Sequence, residues 1–205
     1  MMYTTTNKDS KHVMHLIKEG TIGAEIGVWM GNTSLQFLQK NIKKLYMVDS
    51  YSVEPYKNNS EMSYQEYLAK YSKITGEFAE AGFKRYYDEV YKIVKNKFGM
   101  VIEAELIRMT SNDWFDQFLA AKGHGNNEML DWIYVDGDHS FEGCYSDLNY
   151  SLQVVKPGGL IIGDDYVWPD SKWGKNGVTQ AVNKFKDENN FNLIRHGETQ
   201  FSMTI

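Results

Sequence analysis

A doubly wound α/β fold with a mostly parallel sheet is predicted by three features of the sequence. Short apolar runs alternate with amphipathic segments from about residue 10 to the end, the pattern of strands covered by helices. The runs are brief and rich in β-branched residues, as strands buried on both faces must be. The last two runs, 191–195 and 199–205, flank His196-Gly197 and read as an antiparallel hairpin. With five earlier runs this makes a seven-stranded sheet ending in a C-terminal antiparallel hairpin.

The elements follow in order. Ser10 can cap a first helix carrying Val13, Met14, Leu16 and Ile17, which Gly20 would end in a left-handed conformation. Residues 22–26 read as the first strand, 32–41 as a helix burying Leu35, Phe37 and Leu38, and 45–48 as a second strand running into Asp49. Residues 51–99 are different: they hold eight tyrosines and no evident strand, although a crossover needs only about a dozen residues. Two helices, 62–72 and 83–98 with Gly99 as the stop, account for most of this insert. It is a candidate lid or substrate wall, or a surface buried against a second copy of the chain. Strands at 104–109, 132–135 and 160–162 alternate with helices at 113–122 and 141–155, and a last helix covers 177–188.

The 205 residues suit a single domain, 1–205, and the 22 Lys+Arg against 27 Asp+Glu give a net charge of −5. No basic stripe is present to neutralise a phosphate backbone, which disfavours nucleic acid as a partner. The single cysteine, Cys144, cannot form an internal disulfide, and the polar N-terminus lacks a signal-peptide core. No apolar stretch approaches the roughly 18 residues that span a bilayer. A cytoplasmic location away from membranes is expected.

Chemistry concentrates at the strand ends. The first strand runs into Glu25-Ile26-Gly27-Val28-Trp29-Met30-Gly31 and then a helix, which is where backbone approaches a cofactor closely. A dinucleotide turn would need glycine at positions 25 and 30. A carboxylate at Glu25 repels a pyrophosphate and suits an ammonium group. Asp49, 24 residues on and followed by Ser50, ends the second strand where a carboxylate can accept both hydroxyls of a ribose. An adenosine with a cationic far end satisfies both, and S-adenosylmethionine has that shape. Further on, Val135-Asp136-Gly137-Asp138-His139 and Gly163-Asp164-Asp165-Tyr166 bring carboxylates to the ends of adjacent strands. Asp136, Asp164 and Asp165 would repel one another unless a cation or proton neutralises them, and an all-oxygen set favours Mg²⁺, Mn²⁺ or Ca²⁺. His139 has the side chain that titrates near neutrality and could take a proton from an acceptor hydroxyl, with Asp138 orienting it. Trp29, Tyr51, Tyr166 and Trp168 flank these positions as possible planar walls, Tyr166 or Trp168 being the expected substrate contact.

These motifs, with Lys156-Pro157-Gly158-Gly159 and Gly177-Val178, resemble the class I S-adenosylmethionine-dependent methyltransferases over about residues 22–205. The resemblance points to the small metal-dependent O-methyltransferases that include the catechol and macrocin enzymes, and implies their Rossmann-like sheet. It implies that Glu25, Gly27, Trp29 and Gly31 hold the methionine part of the cofactor, Asp49 and Ser50 the ribose, and Thr110 and Ser111 the adenine. Asp136 would reach both cofactor and metal, and Asp164 and Asp165 the metal. The acidic Asp165 looks more like the sugar-modifying branch than the catechol branch, and His139 stands where the catechol enzyme has a catalytic lysine. A small-molecule hydroxyl, with that of a sugar as one candidate, is the implied acceptor. The boxes of amino- and cytosine-methylating nucleic-acid enzymes are absent, since the three prolines are never adjacent and Cys144 follows Gly143. A phenol, amine or protein acceptor, a nicotinamide oxidoreductase and a non-catalytic binding module are the other readings.

Overall fold

The computed structural model describes residues 10–57, 63–123, 128–166 and 176–205. Seven strands form one sheet: β1 (Ile22–Ile26), β2 (Lys44–Asp49), β3 (Ala104–Arg108), β4 (Leu130–Val135), β5 (Val155–Gly163), β6 (Ile194–His196) and β7 (Gln200–Thr204). Their order is β3-β2-β1-β4-β5-β7-β6. The first five are parallel, with Ala24 opposite Tyr46 on one side and Ile133 on the other, and β7 runs antiparallel between β5 and β6. The strand order reverses between β1 and β4, the switch point at whose carboxyl ends open α/β sheets bind ligands.

The period-two alternation of buried strands sorts their side chains onto two faces. Ala24, Ile26, Tyr46, Val48, Ile133, Val135 and Ile161 face α4 (Ser111–Gly123), α5 (Phe141–Val154) and α6 (Gly177–Asn189). Leu45, Met47, Trp132, Tyr134 and Ile162 face the N-terminal segment, α1 (Asn32–Leu38) and α3 (Glu80–Phe98). Gly23 is a packing requirement, because a Cβ there would lie 2.2 Å from the Trp132 ring.

The expected first helix is reduced to a single 3-10 turn, Ser10–His12, followed by turns. Val13, Met14 and Ile17 are buried as anticipated, and Gly20 has φ +74. So short a stretch gains few helical hydrogen bonds against the cost of nucleation, and burial alone holds it. The helix after β1 stops at Leu38, three residues early. The insert does contain two helices, α2 (Tyr64–Thr75) and α3. A Ser63–Glu66 capping box starts α2, and Gly76 ends it at φ +79. Residues 191–193 lie outside β6, so the hairpin is shorter on that side than expected.

Candidate active site

The chain leaves β1 through Gly27, Trp29 and Gly31, all in the left-handed region with φ of 88, 45 and 67°. A Cβ on Gly27 would stand 2.0 Å from the Asp136 carbonyl oxygen, so this turn lies directly against the end of β4. Asp49 ties the turn to β2. Its Oδ2 accepts from the backbone N–H of Val28 at 3.0 Å and Trp29 at 2.9 Å, and its Oδ1 from that of Tyr51 at 2.7 Å. A carboxylate offers about four acceptor directions, so these three bonds leave room for one further donor. Burial pushes the Asp49 carboxyl up, while the three N–H donors and Arg108 pull it down. Ser50 follows at the strand end, half-buried.

Glu25 is 1% exposed, and Ser34 of α1 donates its hydroxyl to Oε2. Burial holds the Glu25 carboxyl well above the usual range; Asp136 and Asp49 add to this, and Ser34 and Lys97 oppose it. A cation placed beside such a group would favour its ionised form and draw the pKa back down. Lys97 of α3 closes the other side of the turn, its Nζ donating to the Gly31 carbonyl at 3.2 Å. Trp29 is half-exposed, and its indole N–H donates to the Tyr86 hydroxyl at 2.8 Å, joining the turn to the insert. Tyr51 is buried and donates to the Trp29 carbonyl at 3.1 Å.

Beyond β3, Thr110 and Asp113 cap each other at the start of α4: the Thr110 hydroxyl donates to Asp113 Oδ2 at 2.6 Å and accepts from the Asp113 N–H at 3.2 Å. Asp147 lies on the buried face of α5, and burial pushes its carboxyl up to about 7, with the Ser111 hydroxyl at the start of α4 opposing the shift.

At the ends of β4 and β5 the structure gathers Asp136, His139 and Asp165, whose ligand atoms all lie within 4.8 Å of one another. His139 Nε2 is 3.1 Å from Asp165 Oδ2 and 3.5 Å from Asp136 Oδ1. Asp165 is 2% exposed and holds φ 61°, a left-handed conformation that costs a non-glycine residue of order 1–3 kcal/mol. Asp164 departs from the sequence expectation. Its Oδ1 accepts from Thr199 at 2.6 Å and the Asp165 N–H at 2.8 Å, and its Oδ2 from Tyr134 at 2.9 Å and Gln200 at 3.3 Å. Every acceptor direction is taken, so Asp164 binds β4 and β7 together while the imidazole of His139 completes the group.

Other expected site residues also make local bonds. Asp138 Oδ1 accepts from the Ser140 N–H at 2.9 Å, and its carboxyl covers Gly143 at the start of α5. Tyr166 donates to Asn183 of α6 at 3.0 Å, which directs its hydroxyl to the helix layer. Trp168 lies outside the described residues.

Sequence reasoning passed over Ser34, Lys97 and Asp147. Asp147 did leave a signal, since it sits three residues after Cys144 on the helical stripe with Leu148 and Ser151, where an apolar residue is the norm.

Residues 24–166 match the family model of a methyltransferase domain. The chain belongs to this methyltransferase family. The match covers the cofactor turn, Asp49 and the Asp136–Asp165 edge, and the domain is an S-adenosylmethionine-dependent methyltransferase. Solved structures share its fold at low identity. An O-methyltransferase from Bacillus cereus in complex with S-adenosylhomocysteine is 13% identical, with a TM-score of 0.55 over 100% of this chain and 84% of that one. The O-methyltransferase TomG from Streptomyces achromogenes, in complex with S-adenosylmethionine, is 12% identical with a TM-score of 0.56, covering 94% of this chain and 78% of that one. The O-methyltransferase NovP is 17% identical at 0.54, covering 94% and 74%. An uncharacterised protein of Acanthamoeba polyphaga mimivirus is 38% identical over 55 residues, so the match spans 27% of this chain and 24% of that relative. Among the described residues no helix of the methyltransferase is long and apolar enough to cross a membrane.

Proposed function

We propose that the methyltransferase acts on oxygen, moving the methyl group of S-adenosylmethionine to a hydroxyl of a small molecule, with a sugar as the favoured acceptor class. The acceptor oxygen attacks the sulfonium methyl, the S–CH₃ bond breaks with its electron pair returning to sulfur, and the hydroxyl proton must leave. The observation carrying this reading is the convergence of Asp136, His139 and Asp165 at the sheet edge, against the Glu25–Gly31 turn.

Two carboxylates and an imidazole fit a divalent cation, and the nitrogen donor favours Mn²⁺ over the Mg²⁺ or Ca²⁺ that three aspartates would prefer. A bound divalent ion lowers the pKa of a coordinated hydroxyl and fixes its position. Glu25 would take the cofactor's ammonium, Asp49 one ribose hydroxyl, and the start of α4 the adenine. The helical insert, joined to the cofactor turn through Trp29 and Tyr86, would flank the acceptor side.

The 3.1 Å approach of His139 to Asp165 favours a second reading, in which Nε2 takes the acceptor proton between two carboxylates without a metal. One nitrogen cannot do both, and calorimetry separates the two. The purified protein is titrated with S-adenosylhomocysteine, with Mn²⁺ and with chelator, beside NAD as control; Mn²⁺ is titrated separately into wild type and His139→Ala. Nucleoside binding in both buffers, with Mn²⁺ binding lost in the variant, supports the metal-bound form. Unaltered Mn²⁺ binding in the variant removes His139 from the set, and absence of nucleoside binding overturns the cofactor reading.

A further inference from the structure

Arg108, the last residue of β3, stands in register with Asp49, the last residue of β2. Two residues beyond Asp49 the chain passes through Tyr51, which is buried and holds φ 43°, a conformation that a bulky residue adopts only when its surroundings impose it. Every polar group of Tyr51 is engaged. Its N–H donates to Asp49 Oδ1 at 2.7 Å, its hydroxyl donates to the Trp29 carbonyl at 3.1 Å, and its carbonyl accepts from Arg108 Nη2 at 3.0 Å. The same nitrogen also donates to Asp88 Oδ1 of α3 at 2.6 Å, and the guanidinium lies 4.8 Å from the centre of the Tyr91 ring, three residues further along that helix. The Tyr91 ring in turn packs on the Tyr51 ring, with centres 5.3 Å apart. Arg108 therefore joins the helical insert to the turn that follows Asp49.

We infer that Arg108 is a positioning residue that carries the placement of the helical insert to Asp49, and so sets how strictly the ribose of the cofactor is recognised. The inference rests on the ribose placement proposed above. Asp49 keeps one acceptor direction for a ligand, and its aim depends on the three N–H groups that occupy the others. Two of these, from Val28 and Trp29, belong to the turn after β1. The third belongs to Tyr51, whose backbone would relax out of the left-handed region if its carbonyl were released. A guanidinium suits this position because it is planar and presents its donors in a fixed fork, so it holds a carbonyl and a carboxylate together while its face lies on an aromatic ring. The carboxylate it holds is anchored from α3 as well, since Lys84 donates to Asp88 Oδ2 at 2.8 Å. With Lys84 and Arg108 as donors the Asp88 carboxyl is lowered to about 2 and stays ionised through the neutral range.

The test compares ligands that differ only in the ribose. Calorimetry measures the affinities of S-adenosylhomocysteine and its 2′-deoxy and 3′-deoxy analogues for wild type, Arg108→Met and Asp88→Ala. Methionine keeps an unbranched stem over Tyr91 and has no N–H to donate. The quantity followed is the ratio of affinities with and without each hydroxyl, because a general loosening of the fold weakens every ligand alike and leaves the ratio unmoved. In wild type the analogue lacking the hydroxyl that Asp49 accepts should bind at least about tenfold more weakly, the worth of a hydrogen bond to a charged group. In Arg108→Met that ratio should fall to about threefold or less, the worth of a weak neutral bond. Asp88→Ala should lower it in the same direction, which covers the case of an Arg108 variant that folds poorly. A ratio that keeps its wild-type value in either folded variant overturns the inference. Absence of binding of any ligand to wild type overturns the cofactor reading, and equal binding of all of them overturns the ribose placement at Asp49. Either takes the inference with it, and both are distinct from a wild type that discriminates while its variants do so equally well.

Discussion

Asp147→Asn gives a prediction about folding that needs no ligand. The carboxyl is held at about 7 by burial, against 3.8 for a free aspartate. A raised carboxyl means that the folded state holds a proton over a range where the unfolded chain has lost it. Stability therefore falls as pH climbs from about 4 to about 7, and is level above that. The shift of about three units corresponds to about 4 kcal/mol lost at full ionisation, at 1.36 kcal/mol per unit. Between pH 5 and pH 8 the part lost is about 2.5 kcal/mol, since at pH 5 some of the difference already exists. Asparagine carries none of this charge cost, and any packing penalty it brings is the same at every pH. Urea denaturation of wild type and variant at the two pH values isolates the titrating part. The variant should gain about 2.5 kcal/mol on wild type from pH 5 to pH 8, whatever its standing at either one. An unchanged difference would show that Asp147 does not titrate in this window, and would refute the burial argument.

Three further outcomes follow from the geometry. Gly27→Ala should cost about 2–4 kcal/mol in urea denaturation and abolish S-adenosylhomocysteine binding, because the new Cβ meets backbone at 2.0 Å and the turn holds φ 88°. Asp164→Ala should destabilise the fold by about 3–5 kcal/mol, since Tyr134, Thr199 and Gln200 lose a shared buried partner; Mn²⁺ binding should survive in whatever fraction stays folded, and its loss there would return Asp164 to the metal group. Glu25→Gln should weaken S-adenosylhomocysteine binding at least tenfold while raising thermal stability at pH 8, where a buried carboxyl held above its usual range is costly to ionise; calorimetry and a melting curve read the two effects.

Much of the proposed cofactor half of the candidate site is legible along the chain, because each part lies within a few residues of a strand end. Glu25, the glycine turn and Asp49 are local signals: a carboxylate in an apolar run, glycines where φ must be positive, and a strand that stops on an acid. The cluster of Asp136, His139 and Asp165 proposed for a metal is less so. Asp164 and Asp165 are adjacent and chemically alike, and only the arrival of β7, bringing Thr199 and Gln200 beside Tyr134, decides that one is a structural hub and the other faces His139. The bonds of Asp138 to the Ser140 N–H and of Tyr166 to Asn183 of α6 were likewise invisible along the chain, because their partners are set by where the helices pack.

The sequence by itself determined the sheet, its mostly parallel order with a closing hairpin, and the family, because hydrophobic period, turn chemistry and motif spacing are properties of neighbours along the chain. The tertiary structure decided which carboxylates are spent on hydrogen bonds, which donor joins Asp136 and Asp165, and that Asp147 is buried with its carboxyl pushed up. Those outcomes depend on burial and on partners tens of residues away, and a carboxylate's protonation and free lone pairs are set by what surrounds it rather than by what precedes it.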